Sequence, residues 1–222
     1  MCSVTIVDTE VPVAICPTSA PVVTLDSEGN GTLAANALAG GQSSDNCSLT
    51  ETSPETPFTC TQTGTQMVVL TATDGSSNSN TTMCSVTIVD TEDPVAECPT
   101  SALVVTLDSD GNGTLATNAL AGGQSSDNCS VTETSPETTF DCTQTGTHMV
   151  VLTATDGSNN SNTTMCSVTV NDNEVPVAIC PTAPVVTLDT DGNGTLAANA
   201  LAGGQSSDNC MLTVVELSLI HI

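Results

Sequence analysis

The chain has 222 residues with 25 Asp plus Glu, no Lys and no Arg, for a formal net charge of −25. This excludes nucleic acid and anionic membrane as natural partners, because both are bound by bringing positive side chains to phosphate. Two Phe, no Tyr and no Trp leave the core to Val, Leu, Ile, Ala and Met, and eleven Cys are expected to staple modules packed so thinly.

A field this negative favours bound cations, and calcium suits carboxylate and amide oxygens outside cells. Cysteine at this density, with no CxxC and two His, points to disulfides formed in an oxidising compartment and to an extracellular or cell-surface location. Zinc is the lesser reading, since the spacings lack paired ligands. No apolar run is long enough to cross a membrane, so no membrane insertion is expected within this chain.

Taken in order, residues 1–7 read as the last strand of an upstream repeat. CSVTIV at Cys2 returns at Cys84, and CSVTV follows at Cys166, a period of 82 residues both times. Repeat 1 is 8–89 and repeat 2 is 90–171; they differ at 12 of 82 positions. Repeat 3, residues 172–216, is cut short. Met1 aligns with Met83 and Met165, so it belongs to the repeat. Residues 217–222, LSLIHI, are expected to be a translated sequencing adapter and are set aside.

Within repeat 1, Ala14 and Cys16 share a face and Ile15 points away; its counterpart Glu97 requires water on that side. PVVTLD and GTLAANAL flank the turn SEGN and read as a hairpin, while ANALAGG is open to a short helical turn. In VVLTATD, Val68, Leu70 and Ala72 fall on one face; in the segment 82–89, Cys84, Val86 and Ile88 do the same. These two segments read as a second hairpin. Several short strands in about 80 residues suggest an all-β fold of tandem immunoglobulin-like β-sandwich repeats with intradomain disulfides.

Each full copy has four Cys, which allow three connectivities. The favoured one pairs Cys16 with Cys84 and Cys47 with Cys60, then Cys98 with Cys166 and Cys129 with Cys142. Cys2, Cys180 and Cys210 are expected to have partners outside this chain.

The DxExP entry (Asp8, Glu10, Pro12), the Cys16-Pro17 pair, VTLDxxGNGT, SSDNC (Ser43 to Cys47), FTC (Phe58 to Cys60), TGTxxVxLTATD and CSVTIV together resemble the hyalin-repeat family and its immunoglobulin-like relatives in long surface proteins. The resemblance spans both complete copies and most of the third. It implies an immunoglobulin-like sandwich in extracellular adhesive and matrix proteins, with no catalytic residues of its own. The absence of basic residues departs from the family and leaves partner preferences open.

Two metal sites are considered. DSEGNGTL matches the first half of an EF-hand loop, with Asp26, Glu28 and Asn30 as ligands; Asp108, Asp110, Asn112 and Asp189, Asp191, Asn193 are their equivalents. Position 12 is Ala37 or Ala119 where a bidentate Glu is needed, and a plain Gly-rich turn explains the motif as well. The second site is the junction between copies: Asp8 and Glu10, Asp90 and Glu92, Asp172 and Glu174, with Asp45 and Asp127 or Asp74 and Asp156 able to add oxygens. A solvated acidic linker is the competing reading. Sequons at Asn30, Asn46, Asn80, Asn112, Asn128, Asn159, Asn162 and Asn193 largely coincide with turn motifs, so composition alone accounts for them.

No repeated Ser/His/Asp or Cys/His set exists, so an enzyme is not expected. The leading expectation is a structural component of an extracellular filament, stalk or matrix, stiffened by calcium. Its partners would be copies of itself, end-to-end or lateral. The alternative is a cell-surface adhesin binding glycan or another surface protein through its loops. Those loops barely vary between copies and lack the aromatic and Arg residues of binding hot spots.

Overall fold

The computed structural model describes residues 2–197, 200–201 and 204–215. Among these the protein is nearly all β: twelve strands and two short 3-10 turns. It forms two compact units, Met1–Glu97 with Ser125–Glu133 and Thr153–Thr163, and Cys98–Gln124 with Thr134–Leu152 and Thr164–Ile222. Residues 217–222 lie outside the described residues.

In the first unit, β1 (Val22–Thr24), β6 (Ser79–Val89), β5 (Gly64–Asp74) and β3 (Leu49–Thr52) form one sheet in that order. β1 runs parallel to β6, and β5 is antiparallel to both β6 and β3. A separate ladder joins β2 (Asn30–Leu33) to β4 (Thr56–Thr59). The β5–β6 hairpin expected from period-two alternation is present, with Val68 opposite Cys84 and Leu70 opposite Thr82.

The alternation also sets the core. Val68, Leu70 and Ala72 from β5 and Cys84, Val86 and Ile88 from β6 are all buried. All but Ala72 cluster with Val23, Leu25, Leu33, Leu38 and Phe58, so strands of both sheets share one core. Burying each large apolar side chain contributes about 1.5–3 kcal/mol. Replacing Leu70 by Ala would cost about 2–5 kcal/mol through the cavity it leaves.

The first expected hairpin differs from expectation. The SEGN turn forms, but β1 and β2 part after it, β1 to β6 and β2 to β4. The turn therefore carries the chain from one sheet to the other. Both strands show apolar alternation, and alternation names a buried face without naming the neighbour. ANALAGG forms turns and no helix. Asn36 adopts φ 62°, and its Oδ1 accepts the N–H of Ser53, whose hydroxyl in turn accepts the N–H of buried Leu38.

β7 (Leu103–Thr106) to β12 (Ser161–Asn171) return in the same order, β7-β12-β11-β9 with a β8–β10 ladder. Here β8 is Asn112–Leu115, β9 Val131–Thr134, β10 Thr138–Asp141 and β11 Gly146–Asp156. In the second unit Val105, Leu107, Leu115, Leu120, Phe140, Val150, Leu152, Cys166, Val168 and Val170 form the matching core.

Candidate functional site at the repeat junction

Four disulfides close in the chain: Cys16–Cys84, Cys60–Cys129, Cys98–Cys166 and Cys142–Cys210. Such a set requires folding in an oxidising compartment. The Cys16–Cys84 and Cys98–Cys166 pairs are those expected. The expected Cys47–Cys60 and Cys129–Cys142 pairs are incorrect. Cys60 bonds instead to Cys129 of the next repeat, with Cα atoms 5.4 Å apart, and Cys142 bonds to Cys210. Cys210 thus has its partner within this chain, while Cys2, Cys47 and Cys180 are free. The physical reason is placement within the repeat. SSDNC and FTC are close in sequence, yet the next copy's SSDNC is the one that reaches FTC.

The junction in the first unit is built from five pieces of chain. Cys60 opens the 3-10 turn Cys60–Gln62 that follows β4. The GNG turn brings Gly29 against it. Gly29 has φ +74°, and a Cβ there would lie 2.5 Å from the Cys60 sulfur and 2.7 Å from the Asn128 carbonyl oxygen. Only glycine fits, for backbone conformation and for space. The same holds at Gly111 against Cys142 and Asn209 in the second unit.

Asn128 ties the pieces together. Its Nδ2 donates to the Asp26 carbonyl at 2.9 Å and to Asp90 Oδ1 at 3.2 Å. Asn160 Nδ2 donates to the Asp90 carbonyl at 3.2 Å. Asp90 Oδ1 also accepts the Glu92 N–H, and Asp127 Oδ2 accepts the Cys129 N–H. Asp90 Oδ2, Asp127 Oδ1 and Asn128 Oδ1 are buried without any hydrogen-bond partner. Asp90, Asp127 and Cys129 each place one potential ligand atom within 4.8 Å of the others. Of these, Asp90 also lines a groove of about 350 Å³ with Thr63, Gly64, Ile88, Val89, Gly157 and Ser158.

Asp8, Asp45 and Cys47 form the equivalent cluster at the start of repeat 1. Here the Cys47 thiol is free and hydrogen-bonds the Asp8 carboxylate. That bond, with the Glu10 N–H and the Asn46 amide, holds Asp8 below the usual carboxylate range against the effect of burial, and it raises the thiol of Cys47.

The remaining expected ligands lie elsewhere. Asp26 Oδ1 accepts the N–H groups of Glu28 and Asn30 at 3.0 and 2.9 Å, and the Gly29 N–H returns to the Asp26 carbonyl. Asp108 with Asp110 and Asn112 and Asp189 with Asp191 and Asn193 repeat this pattern. Each is a side-chain-capped turn whose leading carboxylate already holds its own backbone. Glu10, Glu92 and Glu174 give their N–H groups to Asp8, Asp90 and Asp172. None of the three glutamates belongs to the two acidic clusters among the described residues. Sequence reasoning gave Asn128 no part in the junction. The signal for it was the adjacency of an acid, an amide and a cysteine in each SSDNC.

No protein-family model matches the chain, and no curated protein matches it. Among solved structures it is similar to an endo-fucoidan hydrolase from glycoside hydrolase family 107, at 16% identity and a TM-score of 0.23. The match covers 73% of this chain and 29% of that one, so the chain spans under a third of the hydrolase's length. A likeness this slight bears on neither fold nor activity.

Proposed function

We propose that this chain is a structural, load-bearing part of an extracellular filament, stalk or matrix built from tandem immunoglobulin-like sandwiches. The resemblance to hyalin repeats favours that fold and setting. The observation that carries the load-bearing role is the interleaving of the disulfide loops. Cys60 lies inside the 16–84 loop, Cys98 inside 60–129, and Cys142 inside 98–166. Every peptide bond from Cys16 to Cys210 is therefore bridged by at least one disulfide.

This gives the array two covalent routes along its length. One runs through Cys16–Cys84, the 14 residues on to Cys98, and Cys98–Cys166. The other runs through Cys60–Cys129, the 13 residues on to Cys142, and Cys142–Cys210. A fully extended repeat of this kind spans about 50 Å per 14 residues, against about 290 Å for 82 unbridged residues. Unfolding under load would release little length, and a single proteolytic cut would not part the chain. Neither property serves a ligand-binding loop, and both serve a fibre.

Single-molecule extension tests this reading. Between residues 16 and 210 the oxidised chain is expected to reach about 150 Å and the reduced chain about 680 Å at full extension. Equal lengths before and after reduction would reject the covalent bridging. Limited proteolysis gives the companion result: one cut should leave a single species on a non-reducing gel and two on a reducing gel.

A further inference from the structure

Asp90 is 6% exposed, and one of its carboxylate oxygens has no partner. Asp127 brings a second unpartnered buried carboxylate oxygen, and Asn128 an unpartnered buried amide oxygen. An orphaned buried acceptor costs about 1–3 kcal/mol, more when charged. Two carboxylates whose ligand atoms lie within 4.8 Å also repel. Elsewhere in proteins a Lys or Arg answers such a pair, but this chain contains neither. Two of the three equivalent oxygens are orphaned in each of the other copies, at Asp8 and Asp45 and at Asp208 and Asn209.

We propose that Asp90, Asp127 and Asn128 form a calcium site at the junction of repeats 1 and 2. The donors are hard oxygens, two carboxylates and an amide, and the Cys129 sulfur is consumed in its disulfide. That donor set suits calcium or magnesium and not zinc. Calcium is the better match, because its flexible coordination accepts protein oxygens at irregular angles and fills the remainder with water, which the groove lined by Asp90 can supply. An ion there would compensate Asp90 and Asp127 together. It would thereby fasten the entry of repeat 2, at Asp90, to its SSDNC segment, at the place where the Cys60–Cys129 disulfide ties both to repeat 1. The site is distinct from the EF-hand-like turns, whose leading carboxylates hold their own backbone. It stands whether or not the array bears load.

The test uses the full oxidised chain, stripped with chelator and held near 0.15 M NaCl to screen loose surface binding. Calcium chloride is titrated by calorimetry into the native chain, Asp90→Asn, Asp127→Asn and, as a surface control of equal charge change, Glu137→Gln. Loss of about one bound ion, or at least tenfold weaker binding at one site, is expected in the first two variants and not in the control. Equal binding in all four proteins, or no binding to the native chain, would overturn the proposal. Hydrogen exchange on the unmodified chain guards against variants that misfold. Calcium should slow the amides of residues 90–92 and 127–129. Slowing confined to residues 26–30 would move the ion to the turn and overturn the assignment.

Discussion

SSDNC occurs at residues 43–47 and again at 125–129, identical in sequence and different in state. At the first, Cys47 is a free, exposed thiol bonded to Asp8, and Asp8 is half-buried. At the second, Cys129 is joined to Cys60, and Asp90, the counterpart of Asp8, is 6% exposed. There, repeat 1 supplies the Cys60 sulfur and the GNG turn on which Asn128 docks. The acidic groups at 90–129 all belong to repeat 2, while repeat 1 contributes the disulfide partner and the turn that pack against them.

The largest expected break of this comparison is loss of the bridging disulfide. Cys60→Ser with Cys129→Ser should lower stability by about 4 kcal/mol on the loop-entropy estimate, while Cys47→Ser should leave it nearly unchanged. Thermal melts followed by far-ultraviolet circular dichroism would read both; an equal loss in the two would remove the distinction between the copies.

Next comes the turn. Gly29→Ala forces a left-handed backbone on a residue with a Cβ, about 1–2 kcal/mol, and adds a clash with the Cys60 sulfur. Gly40→Ala has a similar φ of +89° with nothing within 4 Å, so it should show the backbone cost alone. Denaturant titration that ranks Gly40→Ala as the worse of the two would refute the close-approach argument.

Asn128→Ala removes the bonds to Asp26 and Asp90 and should cost about 1–2 kcal/mol. Asn46→Ala loses only exposed bonds, to Glu10 and to Asp8, and should fall within about 0.5 kcal/mol of the parent.

The smallest effect is titration. Asp8 is held low chiefly by the Cys47 thiol, and Asp141 by the hydroxyl and N–H of Thr143. For Glu51 burial pushes upward, but bonds from Ser43, Gly40 and Gly41 outweigh it and leave the group lowered. A carboxyl lowered on folding stabilises the protein above its unfolded value, about 4, and that stability disappears as pH falls through the lowered folded value. Melting midpoints should therefore hold steady down to about pH 5 and drop below pH 4. Cys47→Ala should return Asp8 toward the ordinary range in a carbon-detected NMR titration; an unmoved Asp8 would show that the thiol is not its anchor.

The sequence by itself carried the β class, the 82-residue period and the inward faces of β5 and β6, because period-two alternation records burial directly. It also carried the Cys16–Cys84 bridge, whose cysteines sit on those inward-reading segments. It pointed to the junction acids through their position at each handover. Tertiary structure alone decided which copy each remaining cysteine bonds, which sheet β1 and β2 join, and which acids lose water. The near-identical copies make this unavoidable: Cys47 and Cys129 carry the same local signal, and only their tertiary contacts tell one from the other.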